Sequence, residues 1–120
     1  MNALIAAFFN SMRGFSAAAR TERAVRQELV ALALAVPAAL FISSSLWVRV
    51  ALIGTILLTL AVELMNTAVE KLCDHVTPAK NPQVGLVKDM GSAAVLCALA
   101  LAALVWAAAI LEALGALVGE

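Results

Sequence analysis

The stretch AVELMNTAVEKLCD, Ala61 to Asp74, decides how the rest of the chain is read. It continues an apolar run, Val50 to Val62, that carries no charge. Within it Glu63, Asn66, Glu70 and Asp74 recur at spacings of three, four and four. At about 3.6 residues per turn those intervals place all four on one helix face. Carboxylates on an otherwise lipid-soluble helix are costly, and those that are kept face a site or a water-filled cavity. The remaining segments are expected to hold this stripe in place and to supply its partners.

Composition sets the class. The chain has 120 residues, 64% hydrophobic and 13% charged, with a mean hydropathy of +1.01. Soluble domains carry about 25% charged residues, so the chain reads as an integral membrane protein. Its formal net charge is zero and tyrosine is absent, which removes the basic excess and the stacking surface of a nucleic-acid binder. Cys73 and Cys97 lie 24 residues apart in no metal-ligand spacing, and read as small buried hydrophobes. His75, the single histidine, reads as an interfacial residue rather than a zinc ligand.

The N-terminal segment, 2–27, sets Ile5, Phe8, Phe9, Met12, Phe15 and Ala19 on one face. Asn2, Asn10, Ser11, Arg13, Arg20, Glu22, Arg23 and Arg26 fall opposite. That pattern predicts an amphipathic helix lying in the membrane surface. A secretory signal is disfavoured, because no positive charge precedes the short apolar stretch Leu4 to Phe9.

Three spans follow. Residues 29–48 carry no charge and suffice for roughly 30 Å of hydrocarbon. Pro37 is expected as a tolerated kink, and Ser43 to Ser45, Trp47 and Arg49 mark the far interface. Residues 50–73 return across the membrane and bring Glu63 toward the first side. Pro78 and Pro82 end that helix, giving a cytoplasmic loop over 74–89. Residues 90–112 form the third span, opening on the small residues Gly91 to Ala94. Arg13, Arg20, Arg23, Arg26, Lys71, Lys80 and Lys88 lie on one side of this topology, and Arg49 alone on the other. The positive-inside rule then places the N-terminus and the acidic stripe at the cytoplasmic face; in a bacterial cell that means the inner membrane.

Three charged clusters converge on that face: Arg20 to Glu28, Glu63 to Asp74, and Lys88 with Asp89. Glutamates from two elements can hold a magnesium ion, which takes hard oxygen ligands and substrate phosphates. Lysine offers phosphate a point charge, and a carboxylate at membrane depth can take a proton from a lipid hydroxyl. These are the parts of phosphoryl transfer. No P-loop and no glycine-rich nucleotide loop occurs. The residues alone leave open a structural alternative, in which Glu22, Glu28, Glu63, Glu70 and Asp74 pair with neighbouring arginines and lysines to close helix ends.

The segments RTERAVRQE (Arg20 to Glu28), VELMNTAVEKLCD (Val62 to Asp74) and LVKDMGSAAV (Leu86 to Val95) resemble the prokaryotic diacylglycerol kinase family, small trimeric inner-membrane enzymes. The resemblance covers essentially the whole chain. It implies an all-α membrane protein with a surface helix and three transmembrane helices, assembled as a homotrimer with sites between subunits. It implies Glu63 as the base that deprotonates the lipid hydroxyl, with Asn66 beside it in the active-site motif. Glu22 and Glu70 match the carboxylates holding the Mg2+ that bridges the ATP phosphates. Asp74, Lys80, Asn81, Lys88 and Asp89 match positions near the nucleotide. Arg26, Gln27 and Glu28 match the segment beside the lipid headgroup, and Ser92 and Trp106 the lipid-binding face of the third span. Departures fall at Ala3, Asn10 and Ser16, which stand where relatives carry substrate-facing basic or aromatic residues, and in the stretch AKNPQ (79–83), which lacks an acidic residue.

The implied activity is ATP-dependent phosphorylation of diacylglycerol to phosphatidate. Undecaprenol kinase, which shares the E-x-x-N and KD motifs, is the alternative acceptor class. A non-catalytic small lipid-binding membrane protein is the alternative outside the enzymes.

Overall fold

The computed structural model describes residues 2–119. Four helices account for nearly all of them: α1 (Asn2–Thr21), α2 (Arg23–Ile42), α3 (Leu46–Val76) and α4 (Pro82–Val118). Helices α2, α3 and α4 are long and apolar enough to cross a membrane. At about 1.5 Å per residue, α3 and α4 run to roughly 46 and 55 Å, well beyond a hydrocarbon core of about 30 Å.

Helix α3 is the centre of the molecule and packs on both α2 and α4, while α1 leans on α2 and α3. Small residues at the contacts, Ala35 and Ala39 of α2 and Ala98 and Ala102 of α4, are buried and let the backbones approach closely. Polar groups also bridge the helices. The Thr59 hydroxyl donates to the Thr55 carbonyl at 2.8 Å and reaches Ala98 O at 3.5 Å. The Trp106 indole N–H of α4 donates to Leu52 O at 3.0 Å and lies 3.1 Å from Thr55 Oγ1.

The helix bounds differ from the sequence reading at three places. Where one helix was expected over 2–27, the chain breaks at Glu22, whose backbone is extended (φ −121°, ψ 117°). Neither proline nor glycine causes this break. It lets Phe15, Ala18 and Ala19 of α1 and Val25, Leu29 and Leu32 of α2 meet Leu60 and Leu64 of α3 in one apolar cluster. Arg26 holds the joint from below, its Nη1 donating to the last carbonyls of α1, Ala19 O at 2.7 Å and Arg20 O at 3.4 Å. An arginine at a helix C-terminus satisfies carbonyls that the helix itself leaves free.

Helix α2, over the expected first span, ends at Ile42, six residues before the expected Val48, because the three serines form the turn. Ser45 caps α3 by accepting from the Val48 N–H, and Arg49 Nε donates to Ser43 O at 2.6 Å. Trp47 and Arg49 accordingly belong to α3. Pro37 lies inside α2, which continues through it. On the near side the expected loop over 74–89 shrinks to residues 77–81, since α3 continues to Val76 and α4 begins at Pro82. Asn81 Oδ1 accepts from the N–H groups of Gln83 and Val84, with proline in the first turn, a strong helix start.

Candidate phosphoryl-transfer site

The site grows from the final turns of α3. Leu52, Thr55, Thr59, Leu60, Glu63 and Thr67 form its buried face, so Glu63 continues a stripe that otherwise packs against other helices. Glu63 is 9% exposed and has no hydrogen-bond or ion-pair partner among the described residues. Glu28, Glu70 and Glu22 are all near enough for their charges to act on it. Glu22 and Glu28 come within this electrostatic range from the start of α2, and Glu70 from α3.

One turn below Glu63, Asn66 Nδ2 donates to Glu70 Oε1 at 3.0 Å. Asn66 Oδ1 is buried without a hydrogen-bond partner. Glu22 occupies the N-cap position of α2, yet its side chain makes no capping bond. It points instead to α3, where Lys71 Nζ lies 3.4 Å from its Oε1. Lys71 is thus the cation paired with Glu22, while Arg26 is turned to the carbonyls of α1. A second pair closes the next turn: Lys88 Nζ of α4 meets Asp74 Oδ1 at 2.5 Å, and Glu70 also acts on that lysine.

Of the expected site residues, the structure joins Asn66 to Glu70 and Asp74 to Lys88, and ties Glu22 to the end of α3 through Lys71. It leaves Gln27, Asp89 and Ser92 exposed around them. Lys80 and Asn81 line a separate cavity at the α3–α4 turn with Asp74 and Lys88, of about 570 Å³. There Asn81 is already committed to capping α4. Trp106 lies elsewhere, fifteen residues along α4 from Gly91, which is about 22 Å of helix. Its level is that of Leu52 and Thr55 rather than of Glu63.

Sequence reasoning missed Thr67, which is buried one turn from Glu63, and the capping role of Arg26. Thr67 had a signal, since it shares the Thr55, Thr59 and Glu63 spacing. Arg26 had none, because its partners appear only once the helix breaks.

The donor set suits magnesium. Among the described residues no group of three or more His, Cys, Asp or Glu stands together to hold a metal by itself. Glu22 and Glu70 instead offer hard oxygens whose protein partners are one lysine and one amide. That fits an ion bound by one or two carboxylates and completed by phosphate oxygens.

Comparison with known proteins gives the same direction. Residues 9–110 match the family model described as Prokaryotic diacylglycerol kinase. The chain is 41% identical over 96 residues to the diacylglycerol kinase of Escherichia coli (strain K12), covering 80% of this chain and 79% of the relative. It is 39% identical over 101 residues to that of Pseudomonas aeruginosa, covering 84% and 82%. With the diacylglycerol kinase of Haemophilus influenzae it shares 32% over 96 residues, covering 80% and 81%. With its three long apolar helices and bacterial relatives, the chain is a membrane protein belonging to the prokaryotic diacylglycerol kinase family.

Proposed function

We propose that this protein transfers the terminal phosphate of ATP to the hydroxyl of diacylglycerol, forming phosphatidate at the cytoplasmic face of the bacterial inner membrane. Family membership supplies the reaction class. The observation that carries the assignment of roles is the buried Glu63, without a protein partner among the described residues, beside the Asn66–Glu70 hydrogen bond on the same helix.

Glu63 is the general base. It is the deepest of the four acids, buried and without a cation beside it, at a level the headgroup of a bilayer lipid can reach. Its carboxylate takes the hydroxyl proton as the oxygen attacks phosphorus. Glu22 and Glu70 would hold the Mg2+ that accompanies ATP, and the ion would neutralise charge on the phosphate oxygens. Asn66 fixes the Glu70 carboxylate by its amide hydrogen bond. Lys88, with Asp74 and Asp89 around it, borders the phosphates, and Lys80 and Asn81 border the remainder of the nucleotide. Gln27, Glu28 and Ser92 ring the lipid headgroup, Arg26 staples the joint beside it, and Trp106 sits at acyl-chain depth.

Helix α1 lies along the membrane surface in this reading. Its Ile5, Phe8 and Phe9 side chains are more than half exposed in the single chain, an apolar face suited to the acyl boundary. Helices α1 and α4 of one chain do not touch, so one wall of the acidic cluster is open. A neighbouring copy closes it in a homotrimer.

The test is phosphate transfer from radiolabelled Mg-ATP by the detergent-purified protein, with diacylglycerol and undecaprenol offered in parallel micelles. Faster labelling of diacylglycerol is the expected result. Preference for undecaprenol would overturn the acceptor and keep the mechanism. Labelling of neither by folded protein would leave the acids as structural ion-pair partners of a lipid-binding protein.

A further inference from the structure

Gly91 stands opposite Asn66 at the α3–α4 contact. A Cβ built on it would overlap Asn66 Oδ1 and crowd Asn66 Cγ, at 3.3 Å. Of the six glycines, Gly14, Gly54, Gly85 and Gly115 face open space in the same test, and Gly119 meets only the Gly115 carbonyl of its own helix. Gly91 is thus the glycine whose missing side chain is filled by another helix's side chain. Its backbone has no positive φ, so conformational freedom is not the reason glycine is needed here. Space is.

The amide it meets is fixed in orientation. Asn66 Nδ2 must face Glu70, because exchanging the amide oxygen and nitrogen would set Oδ1 against the Glu70 carboxylate. That leaves Oδ1 pointing at α4, buried and without a conventional donor. The hydrogen on Gly91 Cα occupies the direction in which a Cβ would lie, and so points at that oxygen. Such Cα–H···O contacts recur where helices approach closely. A methyl group there would push Asn66 along α3, and its hydrogen bond to Glu70 would move with it.

The geometry points to Gly91 as a positioning residue that seats Asn66 and, through it, aims the Glu70 carboxylate at the magnesium nucleotide. The inference rests on the role proposed above for Glu70. It makes α4 part of the metal-binding apparatus of its own chain although it contributes no ligand. Groups that orient a ligand typically cost about 10- to 100-fold in affinity or activity when removed.

Mg-ADP affinity, measured by calorimetry on the full-length protein in detergent, tests this with Gly91→Ala, Asn66→Ala and the double variant. Gly91→Ala is expected to weaken Mg-ADP binding by about 10-fold or more. It should leave the Michaelis constant for diacylglycerol unchanged and shift the Asn66 side-chain amide resonance. Gly54→Ala and Gly115→Ala, which fill open space, should do neither. In the Asn66→Ala background the added Gly91→Ala change should cost nothing further, because the coupling partner is gone. Equal losses in both backgrounds would overturn the inference, since Gly91 would then act through general helix packing.

Failure of Gly91→Ala to fold would support the contact if the double variant folds, and contradict it if that also fails. Wild-type protein that binds no Mg-ADP would overturn the functional reading and this role together. Normal wild-type binding with an unaffected Gly91→Ala would overturn the role of Gly91 alone.

Discussion

Lys71 Nζ lies 3.4 Å from Glu22 Oε1, tying the joint between α1 and α2 to the end of α3. Both side chains are partly exposed, 51% for Lys71 and 34% for Glu22, and pairs of this kind contribute about 0–1 kcal/mol. The pair therefore serves the site more than the fold. Under the role proposed for Glu22, the lysine and a magnesium ion would compete for the same carboxylate.

Lys71→Met is accordingly expected to change unfolding free energy by less than about 1 kcal/mol. It should move the magnesium dependence of nucleotide binding to lower concentration, because the ion no longer competes with an ammonium group for Glu22. A magnesium titration at fixed ADP checks this. A shift to higher magnesium would show that the lysine instead helps to hold the phosphates.

Arg26 gives a prediction about the joint itself. Its guanidinium donates to Ala19 O and Arg20 O, and hydrogen bonds from charged groups contribute about 1.5–3 kcal/mol when well formed. Arg26→Met should loosen the end of α1, so that backbone amides of residues 17–21 exchange hydrogen faster while those around Thr59 do not change. Glu22 sits at the same joint, so magnesium affinity should weaken as well. If exchange is unaltered and only the lipid Michaelis constant rises, Arg26 is a headgroup contact and not a staple.

How far the sequence alone reaches is visible in these residues. The stripe of Glu63, Asn66 and Glu70 was readable from spacing, because a long uninterrupted helix turns sequence intervals into a face. The three long apolar helices were readable for the same reason. The break at Glu22 was not, since no local residue demands it and the apolar cluster around Leu60 draws the chain round. The close approach of Gly91 to Asn66 was equally hidden. A small residue shows that contact is allowed, whereas only the packed helices show which side chain fills the gap. The length of the 77–81 turn was missed because Asp74 and Lys88, read as loop residues, are helical and paired with each other.

Trp106 carries the next prediction. Its indole N–H is spent on Leu52 O and Thr55, far along α4 from Glu63. Trp106→Phe keeps an aromatic ring but loses the pyrrole half and its N–H donor, so stability should fall by about 1 kcal/mol or more. The turnover number should be unchanged, because the indole does not reach the reacting atoms. Thermal unfolding and steady-state kinetics on the same preparation check both parts. A fall in turnover without loss of stability would move Trp106 into the reacting site.

The central claim is that Glu63 takes the proton of the lipid hydroxyl, and Glu63→Gln tests it most directly. Glutamine keeps the shape and hydrogen-bonding capacity of the side chain but cannot act as the base. Single-turnover phosphate transfer to diacylglycerol from saturating Mg-ATP should slow by roughly 10²- to 10⁴-fold. Folding, oligomeric state and Mg-ADP affinity should stay close to wild type. Transfer at an undiminished rate would contradict the account and return Glu63 to a structural place on the buried face of α3.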